Sequence, residues 1–150
     1  MKRTTRRNFL RTSVAAGLAL GLPRLALGAD APNSQVRLGI VGLGGIDTPG
    51  GVGGRGRQLI NSLRKIPGAR IAALCDVDQQ ILEHELQPFK DRHEEVATYR
   101  DPRRLLEDKS LDAVMVATPN HWHALATVWA CQAGKDVYVE KPFSYNIWEG

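Results

Sequence analysis

The sequence has few of the features of a disulfide-stabilised, metal-binding or repeat protein. Its two cysteines, Cys75 and Cys131, have neither zinc-ligand spacing nor the pattern of an extracellular disulfide framework. We expect both thiols to be buried as small hydrophobic side chains. No internal repeat or coiled-coil heptad occurs, and there is no low-complexity block outside one glycine-rich stretch. What remains is the pattern of an ordinary single domain.

Acidic residues are missing from residues 1–29, which hold six of the 20 basic residues. This stretch contains the twin arginines Arg6 and Arg7, an apolar run from Val14 to Leu22 and small residues at 26–28. The apolar run is much shorter than the roughly 20 residues of a transmembrane helix, so a retained membrane anchor is the weaker alternative. We predict a Tat signal peptide over residues 1–29 and a linker over 30–35.

The basic character of the chain belongs to this N-terminal stretch. Without residues 1–29, 14 basic and 16 acidic residues remain, and the formal charge changes from +4 to −2. A basic arm that binds nucleic acid is an alternative for residues 1–29, but Phe9, Leu10 and the apolar run fit export better. We therefore expect a periplasmic or otherwise exported protein, with the Tat translocase as a partner and no nucleic-acid partner.

Apolar strands alternate with amphipathic helices through the rest of the sequence. Strands are predicted at Val36 to Val41, Arg70 to Cys75, Val96 to Tyr99, Asp112 to Val116 and just before Glu140. The intervening helices would bury Leu59, Ile60, Leu63 and Ile66, then Leu82, Leu86 and Phe89, then Leu105 and Leu106, then Leu125, Val128, Trp129 and Ala133. Pro88 should bend or end its helix, and Gly134 should cap the last one. The alternation predicts an α/β fold with a Rossmann-type doubly wound parallel sheet.

Two motifs flank the helix predicted over Ala124 to Ala133. Thr118 to His123 reads T-P-N-H-W-H, and Ala133 to Phe143 reads A-G-K-D-V-Y-V-E-K-P-F. In this order and spacing the motifs resemble the Gfo/Idh/MocA oxidoreductases, named for glucose-fructose oxidoreductase and inositol dehydrogenase. The resemblance runs from Val36 to Gly150 and implies an NAD(P)-binding domain over 36–150. Full-length members would add a sixth strand and a second α/β domain, which we expect to be absent from this sequence.

The resemblance also implies roles for residues after the fourth and fifth strands. Lys141 would lie beside the nicotinamide and orient a substrate hydroxyl or help move its proton, while Glu140 fixes the local geometry. Asn120 would face the nicotinamide, and Trp122 or His123 would wall the pocket. The cofactor-binding residues implied here are Thr118, Pro119, Asn120, His123, Glu140, Lys141 and Pro142, with Lys141 as the catalytic one. Without the resemblance, Lys141 and Glu140 would be an exposed ion pair of little energetic weight.

The histidines and tryptophans of this region also have alternative interpretations as metal ligands or as core residues. His121 and His123 have the spacing of a zinc pair, but no cysteine or carboxylate stands nearby in sequence to complete a ligand set. We therefore expect no metal. Trp129 is expected to pack in the core.

The glycine-rich stretch after the first strand admits two registers. Gly42 to Gly45 follows the strand directly, at the place for a phosphate turn, whereas Gly51, Gly53 and Gly56 satisfy G-x-G-x-x-G to the letter. The near-copies GLGG and GVGG lie nine residues apart, which indicates a nine-residue insertion over 46–54. We favour a composite pyrophosphate site of Gly42, Gly44, Gly45, Arg55 and Gly56. A flexible loop that holds phosphate poorly is the alternative.

Asp76 stands at the end of the second strand, twenty residues after Gly56. This is close to the spacing of the carboxylate that accepts hydrogen bonds from the adenosine ribose hydroxyls, and it favours NAD. NADP remains open because Arg55 or Arg57 could reach a 2′-phosphate. Asp76 could instead cap the following helix, a role that Asp78 could fill equally well.

These observations predict the nucleotide-binding part of an NAD(P)-dependent oxidoreductase that acts by hydride transfer between nicotinamide C4 and a hydroxyl-bearing carbon of a sugar or cyclic polyol. Within the same family, the alternative is a glycoside hydrolase that oxidises, eliminates and re-reduces with tightly held NAD. From another class, a non-catalytic nucleotide-binding fragment stays open. We expect this chain alone to be inactive, and the full-length protein could be a homo-oligomer.

Overall fold

The computed structural model describes residues 34–45 and 54–150. The predicted signal peptide, the linker up to residue 33 and residues 46–53 of the predicted insertion lie outside these residues. Within the described part there is no helix long and apolar enough to cross a membrane.

Within residues 34–45 and 54–150, five parallel strands form one sheet in the order β3-β2-β1-β4-β5. The strands are β1 Val36–Val41, β2 Ala69–Cys75, β3 Ala97–Tyr99, β4 Ala113–Val116 and β5 Asp136–Val139. The helices are α1 Arg55–Leu63, α2 Gln79–Lys90, α3 Pro102–Leu106 and α4 His123–Gln132, with a 3₁₀ helix at Asn120–Trp122. Because β1 lies between β2 and β4, the strand order reverses beside β1, and this is where doubly wound sheets bind ligands.

Each face of the sheet carries its own apolar cluster. Residues of α1 and α2 pack with Leu38 and Ile40 on one face, and residues of α3 and α4 pack with Val41 and Val114 on the other. Side chains in β1 alternate between the two clusters, as the two-residue period of a strand requires. The predicted Rossmann-type doubly wound sheet is therefore confirmed.

The last helix is where the sequence predicts it, but it buries a different face. Leu125 and Val128 are 43% and 49% exposed, whereas Ala126 and Ala130 are buried. The small side chains of Ala126 and Ala130 let α4 lie close to the sheet, and Leu125 and Val128 point outward. The predicted packing of Trp129 and Ala133 is confirmed, since both are partly buried against the second cluster.

The C-cap of α4 is also as predicted. Gly134 has a φ of 72°, its N–H donates to Cys131 O at 3.0 Å, and the N–H of Lys135 donates to Ala130 O at 3.0 Å. This pair of bonds is the Schellman arrangement, which needs a left-handed residue at the position that Gly134 occupies.

Three other expectations need correction. Cys75 is buried as predicted, and burial, aided by the charges of Asp76 and Asp101, raises the pKa of its thiol to about 12. Cys131 is exposed, because it lies on the outward side of α4. Ile66 lies beyond the end of α1 and is 53% exposed. Pro88 lies inside α2, which continues to Lys90, so the helix does not end at Pro88. A bend at Pro88 stays a prediction.

Candidate functional site

The candidate site lies at the carboxyl ends of the strands. Gly42 follows β1, Asp76 follows β2, Thr118 follows β4 and Glu140 follows β5. Because all five strands are parallel, these ends share one edge of the sheet. The sequence-predicted residues that stand far apart in the chain are thus brought to the same edge.

Gly42 and Gly56 form the contact between the end of β1 and the start of α1. Gly42 has a φ of 86°, and a Cβ there would lie 2.7 Å from the backbone N of Thr118. A Cβ on Gly56 would overlap the carbonyl O of Gly42 and lie 2.7 Å from Cα of Leu43. Gly56 needs to be glycine because a side chain there would push α1 away from the end of β1, and Gly42 needs to be glycine because a side chain there would meet the backbone after β4.

This packing places Gly42 to Gly45, the first of the two near-copies, beside the start of α1. The predicted composite pyrophosphate site requires this arrangement. Gly44, with a φ of 91°, adds a second left-handed residue within the turn. Gly51 and Gly53 lie outside the described residues. The assignment of pyrophosphate contacts to Gly42, Gly44, Gly45, Arg55 and Gly56 stays a prediction.

The N-terminus of α1 differs from those of α2 and α3. Asp78 and Asp101 cap α2 and α3 with their side chains. The N-cap of α1 is Gly54, which supplies no side-chain hydrogen bond, and the first turn of α1 has no acidic residue. A helix start without a carboxylate suits an anion such as pyrophosphate, which backbone N–H groups and the helix dipole favour.

Asp76 binds the glycine turn through its carboxylate. Its Oδ2 accepts a hydrogen bond from the N–H of Leu43 at 2.9 Å, and its Oδ1 accepts one from the N–H of Asp78 at 3.0 Å. Asp78 in turn accepts bonds from the N–H groups of Gln80 and Ile81. The helix cap is therefore Asp78, and Asp76 faces the edge of the sheet.

A mainly apolar cleft of about 180 Å³ opens at this edge beside Asp76. Its walls come from the ends of β1, β2 and β4 and from α4, and include Gly42, Val77, Pro119 and Trp122. Thr118 also lines the cleft, and its hydroxyl Oγ1 is buried without a hydrogen-bond partner among the described residues. Trp122 thus lines this cleft beside Asp76. The expected role of Trp122 or His123 as a wall of the nicotinamide pocket stays a prediction.

His123 has a different role from the one expected. It is 1% exposed and does not line the cleft. Its Nδ1 lies 2.7 Å from Pro142 O, and its Nε2 lies 2.8 Å from Thr118 O. His123 thus ties the end of β4 to the segment after β5. In the described ranges, no group of three or more histidine, cysteine or acidic side chains could hold a metal.

Glu140 pairs with Arg55 and not with its neighbour Lys141. Its Oε1 lies 2.7 Å from Arg55 Nε and accepts a hydrogen bond from the Tyr138 hydroxyl at 2.9 Å. Burial would raise the pKa of Glu140, but the hydrogen bonds from Arg55 and Tyr138 and the charge of Arg55 outweigh it and hold the pKa below its ordinary value. Glu140 and Tyr138 in turn raise the pKa of Arg55.

Lys141 and Asn120 are exposed at the same edge. The peptide bond between Lys141 and Pro142 is cis. The alternative of an exposed Lys141–Glu140 ion pair is wrong, because Glu140 is 8% exposed and bonded to Arg55. The catalytic role of Lys141 stays a prediction.

Sequence reasoning missed two pairings of charged side chains, Arg55 with Glu140 and Arg57 with Glu85. A signal for the second pair existed. Glu85 stands between Leu82 and Phe89 at the three- and four-residue steps of a buried helix face, where a carboxylate needs a partner.

Comparison with known proteins identifies the domain. A family model described as "Oxidoreductase family, NAD-binding Rossmann fold" matches residues 36–150. Among curated proteins, a glycosyl hydrolase family 109 protein of Solibacter usitatus is 32% identical, over 99% of this chain and 36% of its own length. One of the same description from Saccharopolyspora erythraea is 32% identical, over 97% of this chain and 35% of its own.

Solved structures give the same fold. Myo-inositol dehydrogenase from Lactobacillus casei, in complex with NAD(H) and myo-inositol, superimposes with a TM-score of 0.65 at 27% identity, over 77% of this chain and 31% of that one. A probable dehydrogenase from Thermotoga maritima gives a TM-score of 0.64 at 29% identity, over 76% and 30%. The chain thus spans about a third of the length of the proteins it matches.

Proposed function

Because this chain belongs to the Gfo/Idh/MocA oxidoreductase family, we propose that the whole protein oxidises or reduces a sugar or cyclic polyol. Residues 36–150 match the NAD-binding Rossmann domain of that family. The family and the cofactor predicted from the sequence are confirmed, and NADP remains open as a second cofactor. The observation that carries the proposal is the gathering of Gly42, Asp76, Glu140 and Lys141 at one edge of the sheet.

The described residues fit a dinucleotide. Asp76 stands beside the apolar cleft, which offers a carboxylate for the ribose hydroxyls and apolar walls for the adenine. Thr118 lines the same cleft, and its hydroxyl is buried without a hydrogen-bond partner among the described residues. The uncapped start of α1 and the left-handed Gly42 and Gly44 leave backbone groups for the pyrophosphate.

The reacting end of the cofactor would then lie toward β5, next to Glu140, Lys141 and Asn120. NAD supplies a carbon that accepts or returns a hydride. Lys141, exposed at this edge, would bind the substrate hydroxyl and move its proton as the carbon-bound hydrogen leaves. Glu140 and its ion pair with Arg55 would hold the segment that carries Lys141 against the start of α1.

Turnover by the complete enzyme tests this proposal. Steady-state NADH formation would be measured with myo-inositol and with related sugars, beside NAD affinity by calorimetry. Lys141→Ala should leave the affinity for NAD within about threefold and lower turnover by about 10²-fold or more, the range for loss of a general acid or base. Lys109→Ala, which removes an exposed lysine near the start of β4, is the matched control and should leave both unchanged. Full turnover by Lys141→Ala would overturn the catalytic assignment.

A second candidate is a glycoside hydrolase that works through bound NAD. It is supported by the two relatives named glycosyl hydrolase family 109 proteins, whose alignments cover 97% or more of this chain. In this reaction a sugar hydroxyl would be oxidised to a ketone, and elimination would release the aglycone alcohol and leave an unsaturated ketone. Water would then add to the double bond, and return of the hydride would restore the hydroxyl. NAD is regenerated, so no net NADH accumulates.

Chromogenic aryl glycosides separate the two candidates. Release of the aryl alcohol without NADH accumulation would establish the hydrolase. NADH formation in proportion to a free polyol would establish the dehydrogenase. Lys141→Ala should abolish either activity, because both begin with the same hydride transfer.

A further inference from the structure

Arg57 and Glu85 link the start of α1 to α2 beside the glycine turn. Glu85 Oε1 lies 2.7 Å from Arg57 Nε and 2.6 Å from Arg57 Nη2. Nη2 also donates to the carbonyl O of Gly45 at 3.4 Å. The side chain of Glu85 is 7% exposed and that of Arg57 is 33% exposed. The carboxylate is thus a buried group that holds a partly exposed guanidinium.

Two acceptors draw the Arg57 guanidinium inward. Its Nε and Nη2 are used by Glu85, and Nη2 is shared with Gly45. His84 Nδ1 lies 3.0 Å from the same Oε1 of Glu85. A buried carboxylate is costly without a cationic partner, and this cost keeps Arg57 against α2.

Arg57 nevertheless lies close to the carboxylate expected to hold the ribose. The N–H of Arg57 donates to the carbonyl O of Leu43 at 3.3 Å, and the N–H of Leu43 donates to Asp76 Oδ2 at 2.9 Å. One residue of the turn therefore separates the backbone of Arg57 from Asp76. The guanidinium of Arg57 is bonded to Glu85 and Gly45, but it is the type of group best suited to bind a phosphate on the ribose 2′ position.

We propose that Glu85 is a specificity-determining residue that favours NAD over NADP by holding Arg57 away from the ribose 2′ position. The inference rests on the proposed function, in which Asp76 binds the ribose. Glu85 acts through Arg57, so it is a positioning residue. The charge of Asp76 repels a 2′-phosphate directly. Glu85 keeps the Arg57 guanidinium from pairing with that phosphate.

The affinities of the full chain for NAD and NADP test this inference. Glu85→Gln removes the charge that holds Arg57, and we expect the affinity for NADP to rise about tenfold, as one new charge-assisted contact implies. The affinity for NAD should change less than about threefold. Glu85→Met, which suits a buried position and also releases Arg57, should give the same change if the glutamine variant folds poorly.

Two further variants show whether Arg57 carries the effect. Glu85→Gln combined with Arg57→Gln should lose the gain for NADP. Glu94→Gln is the matched control. Arg64, the C-cap of α1, pairs with Glu94 after α2 at 3.1 Å, but it is bonded to none of the glycine-turn residues that the structure describes. The control should leave the ratio of the two affinities unchanged.

The outcomes are distinguishable. An equal loss of affinity for NAD and NADP in Glu85→Gln, or a gain for NADP that persists when Arg57 is also replaced, would overturn the role of Glu85. NAD binding by the unmutated chain would be unaffected by either result. If the unmutated chain bound neither nucleotide, the proposed function would fail, and this inference with it.

Discussion

Arg55 and Glu140 join the first turn of α1 to the end of β5 through a 2.7 Å contact between Nε and Oε1. The pair connects the segment expected to hold the pyrophosphate with the residue before the expected catalytic lysine. The side chain of Arg55 is 50% exposed and that of Glu140 is 10% exposed, so the carboxylate is the anchored partner.

The pair makes stability depend on pH. The folded-state pKa of Glu140 lies below its ordinary value of 4.5 because contacts with Arg55 and Tyr138 outweigh the effect of burial. The contribution of the carboxylate to stability is therefore complete above that value and is lost as the pH falls through the lower folded-state pKa. In thermal unfolding between about pH 2 and 6, Glu140→Gln should lack this part of the pH dependence. Glu107→Gln, which breaks the exposed pair with Arg104, is the control and should leave stability at pH 7 nearly unchanged. Identical pH profiles for Glu140→Gln and the unmutated chain would contradict the prediction.

The contact between Gly42 and Gly56 predicts a severe effect of one methyl group. Gly56→Ala should destabilise the fold by about 2–3 kcal/mol and weaken NAD binding, because the Cβ would overlap the backbone of Gly42 and Leu43. At Gly134 a Cβ meets nothing within 4 Å, so Gly134→Ala should cost about 1 kcal/mol from its left-handed backbone alone. Urea unfolding and NAD titration of both variants measure the difference. Equal stability of the two would show that the start of α1 can shift without cost.

Deletion of residues 46–54 tests the two glycine registers. The shortened turn would read Gly42-Leu43-Gly44-Gly45-Arg55-Gly56, a compact G-x-G-x-x-G between β1 and α1. Because Gly56 already packs on Gly42 and Leu43, we expect the affinity for NAD to survive or improve. A loss of about tenfold or more would assign the phosphate contacts to Gly51 and Gly53 instead.

Asp76 should set nucleotide preference by its charge. Asp76→Asn keeps an acceptor for the N–H of Leu43 and removes the negative charge, so NAD binding should weaken and the NADP to NAD affinity ratio should rise about tenfold. Asp78→Asn removes the same charge two residues later and retains a helix cap, so it should leave the ratio nearly unchanged. Calorimetric titrations with both nucleotides give the ratio. Tighter binding of NADP than NAD by the unmutated chain would reverse the reading of Asp76.

Export through Tat is predicted from residues outside the described part of the chain. Arg6→Lys with Arg7→Lys should keep the protein out of the periplasm, because the translocase reads the arginine pair and not only its charge. Arg3→Lys with Arg11→Lys makes the same change outside the pair and should not affect export. Cell fractionation followed by immunoblotting measures both. Normal delivery of the first double variant would exclude the Tat assignment.

The sequence predicted those parts of the site that depend on where strands end. Gly42 and Asp76 each follow an apolar run directly, so the positions of both at the carboxyl edge followed from the parallel sheet. The buried position of Glu85 showed that it needs a cationic partner, but the sequence did not show that Arg57 is that partner or that Glu140 pairs with Arg55. Residues after β5 and in α2 meet the start of α1 only through the strand order. The buried face of α4 was also missed, since Leu125 and Val128 follow a helical period that points away from the sheet. Hydrophobic spacing shows that a helix has an apolar stripe, but close packing on a sheet can favour alanine instead.

The central place of β1 has a consequence for how the domain opens. Both edges of β1 are hydrogen-bonded along Leu38 to Val41, whereas β3 and β5 each pair with a single neighbour among the described strands. Local opening of a sheet begins where few hydrogen bonds hold a strand, so β3 and β5 should exchange their amide hydrogens first. The strand that leads into the glycine turn, β1, should be the last to open. The residues expected to bind the nucleotide would then follow the strand that is most resistant to local unfolding.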